Sequence, residues 1–449
     1  MKKNRSLLRK VSVVGAGLAG CEAAWYLAER GIDVELFEMR PHVLTPAHKT
    51  SYFAELVCSN SLKSDHVENS SGLLKAELRE CGSFLIRVAD DCRIPGGKAL
   101  VVDRNKFSLA VTNLIESHPR IRVKREEFAG IDINNSGSII LIASGPLTSS
   151  ALSNNIAGHV MKESLYFYDA ISPIVDADSI DMGKCFYADR YGKGTGDYLN
   201  CPMSKEEFDI FYDALVNGER TEIHEFDKVR YFEGCLPVEE IAARGHDALR
   251  FGPMKPVGIL GPAGEKYYAV VQLRKENMAS SSFNMVGFQT RLRHKEQEKV
   301  LSLIPGLENV RILRYGSMHR NTFINSPLVL DHYMRLNSNP LIYFAGQITG
   351  SEGYVEAIAT GLFCGINIYY QLIDEDQVLF PRETAIGALC NYLTDPINGE
   401  SFQPMNFNFG LLPSLDGRHS KKKRAELKSN ISLVSIKDFS RRISAVHQG

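Results

Sequence analysis

The sequence has 449 residues, of which 44% are hydrophobic and 23% charged. That length exceeds the roughly 250–300 residues at which one hydrophobic core stops growing, so two domains are expected. The composition excludes a disordered chain, a coiled coil and a disulfide miniprotein, and no run approaches the ~18 apolar residues of a membrane-spanning helix. With 52 basic against 53 acidic residues, a nucleic-acid surface would have to come from segregating Lys and Arg onto one face.

In chain order, the first signal is a dinucleotide motif. Val11 to Val14 is a β-branched run that reads as a buried parallel strand. Gly15-Ala16-Gly17-Leu18-Ala19-Gly20 follows, then an Ala- and Leu-rich helix from Cys21 to Arg30 closed by Gly31. A second strand, Val34 to Phe37, ends at Glu38. In this pattern Gly15 permits the tight turn, Gly17 lets the backbone approach a pyrophosphate and Gly20 allows close helix–strand packing. The helix N-terminus offers amide donors to the phosphates. An acid at Glu38 suits ribose hydroxyls, which favours FAD or NAD over NADP. A basic start before Leu18-Ala19-Gly20-Cys21 looks like a lipoprotein signal, but cleavage there would destroy this motif, so secretion is rejected and a cytoplasmic protein expected.

Further along, Ile139 to Ile142 and Ser144-Gly145 read as a strand and turn returning to the cofactor. Leu341 to Gly346, followed by Gln347, Gly350, Gly353 and a small-residue helix through Gly361 and Gly365, reads as the late strand and helix that flavoproteins set beside the flavin. This prefers FAD over NAD. The expected fold is α/β, an FAD-binding Rossmann-like domain of glutathione-reductase type with an inserted α+β domain. The cofactor domain is placed at 1–170 and 320–449, and the insertion at 171–319.

The nine cysteines are scattered, odd in number and never spaced as CxxC, so reduced thiols are expected, with neither disulfides nor a metal site. Within the insertion, Ser204 and Glu207 form a capping box opening a helix. Cys235 sits in a Gly–Cys–Leu–Pro turn, followed by Arg244, His246 and Arg250, and by the basic stretches 291–295 and 314–320. A thiol beside such groups can be a nucleophile, yet most free cysteines are small buried hydrophobes, and sequence alone leaves both readings open for Cys235 and Cys58. The segment Arg418 to Lys428 carries six Lys/Arg against one acid. It reads either as a phosphate-tracking surface or as a solvated helix face.

Val14 to Gly20, Phe53 to Ser64, Phe232 to Pro237, Leu249 to Gly258, Val286 to Thr290, Met318 to Asn321, Gly346 to Tyr354 and Asn406 to Pro413 together resemble one family. It is the folate- and FAD-dependent tRNA (uracil-5-)-methyltransferase family, TrmFO, also called Gid. The resemblance implies methylation of a uracil C5 in RNA, most simply uridine 54 of the tRNA T-loop. Methylenetetrahydrofolate would supply the carbon, reduced FAD would carry the methylene and donate hydride, and NAD(P)H would re-reduce the flavin. By the same resemblance Cys235 is the nucleophile that adds to C6, and Cys58 is a second reactive thiol, most simply a base for the C5 proton or a group that guides the intermediate. Two alternatives stand beside it. One is the same chemistry on ribosomal RNA. The other is a flavin oxidoreductase or FAD-binding protein that modifies no RNA.

Overall fold

The computed structural model describes residues 10–131, 137–160, 165–192, 196–221 and 236–445. Its first sheet is built on the opening strand–turn–helix. The strands β1 (Lys10–Val14), β2 (Asp33–Phe37), β6 (Ile121–Lys124), β7 (Ile139–Ile142) and β17 (Asn339–Phe344) run parallel in the order β6-β2-β1-β7-β17, and β16 (Arg335–Leu336) adds an antiparallel edge. This is the strand order of a dinucleotide-binding α/β fold, with the ligand crevice expected where the order reverses beside β1. The strands read as near-continuous apolar runs because both faces are covered. Val13, Leu141 and Tyr343 enter the main core, while Val14, Ile140, Ile142 and Phe344 meet Leu152 and Ile156 of α5 (Ser150–Val160) on the other face.

Two helices fill the main-core side. They are α1 (Leu18–Ala28) and α11 (Tyr354–Leu372), and they touch backbone to backbone: a Cβ on Gly361 would lie 2.4 Å from the Ala19 carbonyl oxygen. The helix predicted to start at Cys21 begins instead at Leu18, with Gly17 as its N-cap. Around this pair pack α2 (Ser70–Glu80), α3 (Phe84–Asp91), α4 (Arg104–Ser117), α12 (Ala385–Thr394) and the C-terminal α13 (Lys421–Ala445). Trp25 stacks on Phe84 at 4.2 Å between ring centroids. Two buried carboxylates tie helix starts to this core. Glu22 accepts the amides of Phe84 and Leu85, and Glu77 those of Ala385 and Ile386, so each satisfies amides that the helix itself leaves unpaired.

A small antiparallel sheet of β3 (Ser61–Ser64), β4 (Arg93–Ile94) and β5 (Ala99–Val102) borders this unit. The antiparallel pair β8 (Leu165–Ile171) and β15 (Ser317–Phe323) lies in sequence between the first sheet and the second. The second sheet is antiparallel, in the order β10-β11-β12-β13-β9-β14. Its strands are β9 (Ile174–Asp176), β10 (Phe186–Tyr187), β11 (Tyr198–Met203), β12 (Ala269–Lys275), β13 (Ser282–Met285) and β14 (Ile312–Arg314). A separate core of Phe208, Phe211, Phe283, Phe288 and their neighbours forms there with α6 (Lys205–Asn217), α7 (Val238–Ala243), α8 (Ala248–Phe251) and α9 (His294–Leu301). The short α10 (Ser326–Val329) precedes β16. The capping box at Ser204 and Glu207 forms as expected, both reciprocal bonds being present.

Candidate active site

A cleft opens at the C-terminal ends of β1 and β7, where an open α/β sheet of this strand order binds its ligands. Gly15, Gly17, Leu18 and Ala19 form its floor, and Gly346 and Gln347 lie on the side of the late strand. The three motif glycines are there for different reasons. Gly15 has φ +101°, and a Cβ would sit 2.5 Å from the Ala143 carbonyl oxygen. At Gly20 a Cβ would sit 1.9 Å from the Gly15 carbonyl oxygen. Gly17 has an ordinary extended backbone, and a Cβ there would meet nothing within 4 Å. Protein packing does not require glycine at that position, whereas a phosphate seated on the helix N-terminus does, so this floor fits a dinucleotide.

The acid at the end of β2 is more heavily engaged than the sequence suggests. Glu38 Oε2 accepts from the Ala16 amide at 3.1 Å, and Arg40 donates to both carboxylate oxygens, with Nε 2.9 Å from Oε1. Arg40 also reaches Glu55 Oε2 at 3.2 Å. Burial pushes the Glu38 carboxyl up, but the bonds and charge of Arg40 outweigh it and hold the group below the usual carboxylate range. Ribose hydroxyls would therefore have to share a carboxylate already met by four donors. His48 lines the same wall; burial first, and then Arg40, press it down to about 4, so it is a neutral imidazole at pH 7.

Not every predicted cofactor residue reaches the cleft surface. Ala16 spends its amide on Glu38, and Gly20 packs helix against strand. Gly350 (φ +82°) turns the chain against Phe402, and Gly353 (φ +113°) against Glu356 and Asn406. These four shape the walls from behind. The sequence reading missed Arg40, Thr45, His48, Glu55 and the stretch Leu147 to Ser149, all of which line the cleft. Arg40, two residues after the predicted acid, was the one legible clue.

Cys58 adjoins two cleft-lining residues. Val57 precedes it in the chain, and Tyr354, the first residue of α11, holds it. The Tyr354 oxygen accepts from the Cys58 amide at 2.8 Å and the Ser59 amide at 3.2 Å, and lies 2.9 Å from Cys58 Sγ. With both lone pairs taken by amides, the phenol proton is directed at sulfur. Burial first, and then Cys58, push the Tyr354 hydroxyl well above the ordinary phenol value, so it remains a donor at neutral pH. Arg104 and Arg314 both act electrostatically on Cys58. Arg104 is paired with Glu276 at 2.9 Å, whereas Arg314 donates only to the Ala47 carbonyl at 2.9 Å. A sulfur met by a donor and flanked by guanidinium groups is set up to carry negative charge.

Cys235 lies outside the described residues. Several of the basic residues that follow it in the sequence are paired with acids. His246 pairs with Asp209 at 2.8 Å, Arg250 with Asp247 at 2.7 Å, and Arg291 with Glu240 at 2.6 Å. Arg314, the last residue of β14, reaches the Ala47 carbonyl, between the cleft-lining Thr45 and His48. The tail reading also needs correction. Residues 421–445 form a helix, and Lys428, counted as a surface charge, is buried and donates to the carbonyls of Phe409 and Leu412. Among the described residues there is no His/Cys/Asp/Glu group able to hold a metal, and no helix is long and apolar enough to cross a membrane.

Comparison with known proteins agrees with this geometry. Residues 10–376 match the family described as glucose inhibited division protein A. The methylenetetrahydrofolate–tRNA-(uracil-5-)-methyltransferase TrmFO of Koribacter versatilis is 52% identical over 433 residues, covering 96% of this chain and 97% of its own. That of Staphylococcus carnosus is 51% identical over 431 residues, covering 96% and 98%. Among solved structures, Aquifex aeolicus GidA in its form I crystal gives a TM-score of 0.70 at 16% identity, covering 97% of this chain and 76% of that one. That likeness is one of fold. The chain belongs to the glucose inhibited division protein A family and, within it, to the TrmFO family.

Proposed function

We propose that the protein methylates C5 of a uridine in tRNA, uridine 54 of the T-loop, with methylenetetrahydrofolate as carbon donor, FAD in the cleft and NAD(P)H as reductant. The reading is carried by one observation: Cys58 Sγ lies 2.9 Å from the hydroxyl of Tyr354, a residue that lines the glycine-floored cleft. It is supported by the names of relatives about half identical over nearly the whole chain.

Uracil C5 is a weak nucleophile until a thiolate adds to C6, which turns the ring into an enolate. After the new carbon is attached, the C5 proton has to leave before the C6 thiol can be eliminated. We assign the first role to Cys235 and the second to Cys58. Cys58 takes the C5 proton onto sulfur, and the Tyr354 hydroxyl, directed at that sulfur, steadies it in the anionic form that accepts. Arg314, with no acid partner among the described residues, is available to an anionic group of the RNA or the folate. Gly15, Gly17, Leu18 and Ala19 would seat the pyrophosphate of FAD, with Glu38 near its ribose and Gly346 and Gln347 on the opposite wall. When bound, FAD supplies the two-electron chemistry and a nitrogen able to carry the one-carbon unit.

The test supplies purified protein with methylenetetrahydrofolate, NADH and unmodified tRNA, and analyses nucleosides. 5-Methyluridine at position 54, abolished in Cys235→Ala and Cys58→Ala while flavin is retained, is the expected result. Its appearance only in ribosomal RNA would move the substrate, and its absence from both RNAs despite bound flavin would overturn the reading.

A further inference from the structure

Arg274 is the last residue but one of β12, and its side chain crosses to the segment that carries Cys58. Nε donates to Asn60 Oδ1 at 2.9 Å, and a terminal nitrogen donates to Ser59 Oγ at 2.7 Å and to Asn284 Oδ1 at 3.4 Å. The side chain is buried, and its hydrogen-bond acceptors among the described residues are all neutral oxygens. Burying a guanidinium without a carboxylate partner costs several kcal/mol unless its donors are well satisfied. Packing alone does not explain such a residue, since a methionine of similar length would fill the space without that cost.

The segment it grips is held at every residue. Arg104 donates to the Val57 carbonyl at 3.4 Å, and Tyr354 accepts from Cys58 and Ser59. Asn60, fully buried, donates to the carbonyls of Val102 at 3.1 Å and Lys275 at 2.9 Å. Three of these anchors, Arg274, Lys275 and the Arg104 partner Glu276, come from the end of β12 and the residue after it, in the second sheet. The thiol thus meets Tyr354 of the first sheet's cleft, while residues at the end of β12 hold the segment that carries it.

We propose that Arg274 is a positioning residue for Cys58: by fixing Ser59 Oγ and Asn60 Oδ1 it sets the sulfur's place beside Tyr354 and ties the second sheet to the site. The proposal rests on the reading that Cys58 acts in the reaction. It is tested with Arg274→Met, Arg274→Lys and Ser59→Ala in the full-length flavoprotein. The readouts are kcat and KM for tRNA, flavin content, and the alkylation rate of Cys58 by iodoacetamide followed by peptide mass spectrometry. Displacing a reacting group by about 1 Å can cost ~10²-fold in rate, so Arg274→Met should lower kcat by about that factor, with KM and flavin content unchanged. Its Cys58 alkylation rate should shift by about tenfold, and Arg274→Lys, which keeps a donor for Ser59, should recover part of both. Wild-type alkylation and kcat in Arg274→Met would overturn the proposal, as would losses of flavin, stability and kcat in step across both Arg274 variants. If Arg274→Met does not fold, unchanged alkylation in Ser59→Ala overturns it equally. A wild-type enzyme that methylates no RNA would sink the functional reading alone, because the alkylation rates still report where Arg274 places the thiol.

Discussion

Tyr354 and Cys58, 296 positions apart in the chain, meet with phenol oxygen and sulfur 2.9 Å apart. The tyrosine opens α11, whose start is fixed by Gly353 and by the close packing of Gly361 on Ala19, so the helix that lines the cofactor cleft also delivers the hydroxyl. Tyr354→Phe removes the acceptor of two amides and the donor to sulfur. Losing hydrogen bonds of this kind costs about 1–3 kcal/mol, so the melting temperature should fall modestly. Methyl transfer should fall further, by about tenfold or more, with flavin retained. Full kcat in Tyr354→Phe would show that the hydroxyl serves structure only.

The glycine motif separates cofactor binding from folding. Gly17→Val places a side chain in open cleft space, so the purified variant should lose its flavin absorbance while unfolding close to the apo wild type. Gly20→Ala forces a Cβ to within 1.9 Å of the Gly15 carbonyl oxygen. Overpacking of that kind costs about 1–3 kcal/mol or more, so here stability should drop first. Flavin spectra and thermal melts on both variants check the contrast, and equal behaviour would contradict it.

Glu77 predicts a pH dependence of stability. Its oxygens accept the amides of Ala385 and Ile386 and the Ser432 hydroxyl, and burial outweighs these bonds to raise the carboxyl to about 7. The folded-state value lies above the unfolded value of about 4.3. The stability tied to the protonated form is therefore complete below about pH 4.3 and is lost as pH rises through 7, by about 4 kcal/mol. Glu22, raised to about 7 mainly by burial, adds the same trend. Glu77→Gln stays neutral, so urea midpoints should show a shallower decline between about pH 5 and 8 than in the wild type. Parallel declines would rule out this role for Glu77.

Two lysines of the last helix should behave differently. Lys422 is exposed, whereas Lys428 donates to the Phe409 and Leu412 carbonyls. Lys422→Gln should leave the melting temperature unchanged and, if this turn meets phosphate, reduce the salt slope of tRNA binding by about 1. Lys428→Met should lower the melting temperature and leave the salt slope alone. Binding isotherms over a salt series, with melts, distinguish them.

Local signals were legible because they depend on neighbours in the chain. The order strand–glycine turn–helix–acid, the late glycine-rich strand and helix, and the capping box at Ser204 each reflect backbone conformation or hydrogen bonding within a few residues, and each forms. Gly17 and Glu38 were found at the cleft for that reason. What the sequence could not assign was how charges pair. Arg40 saturates Glu38, Arg291 turns to Glu240, and Lys428 faces backbone carbonyls inside the protein. Basic residues near Cys235 in sequence pair with acids of their own, while Arg104, Arg274 and Arg314, drawn from three distant elements, gather around the Cys58 segment. The amino-acid order by itself settled the fold class and the glycine turn that floors the cleft, since hydrophobic period and glycine conformation act locally. Only the tertiary structure chose the companions of the thiol, because electrostatic and hydrogen-bond partners are set by distance in space, which folding decides across hundreds of residues.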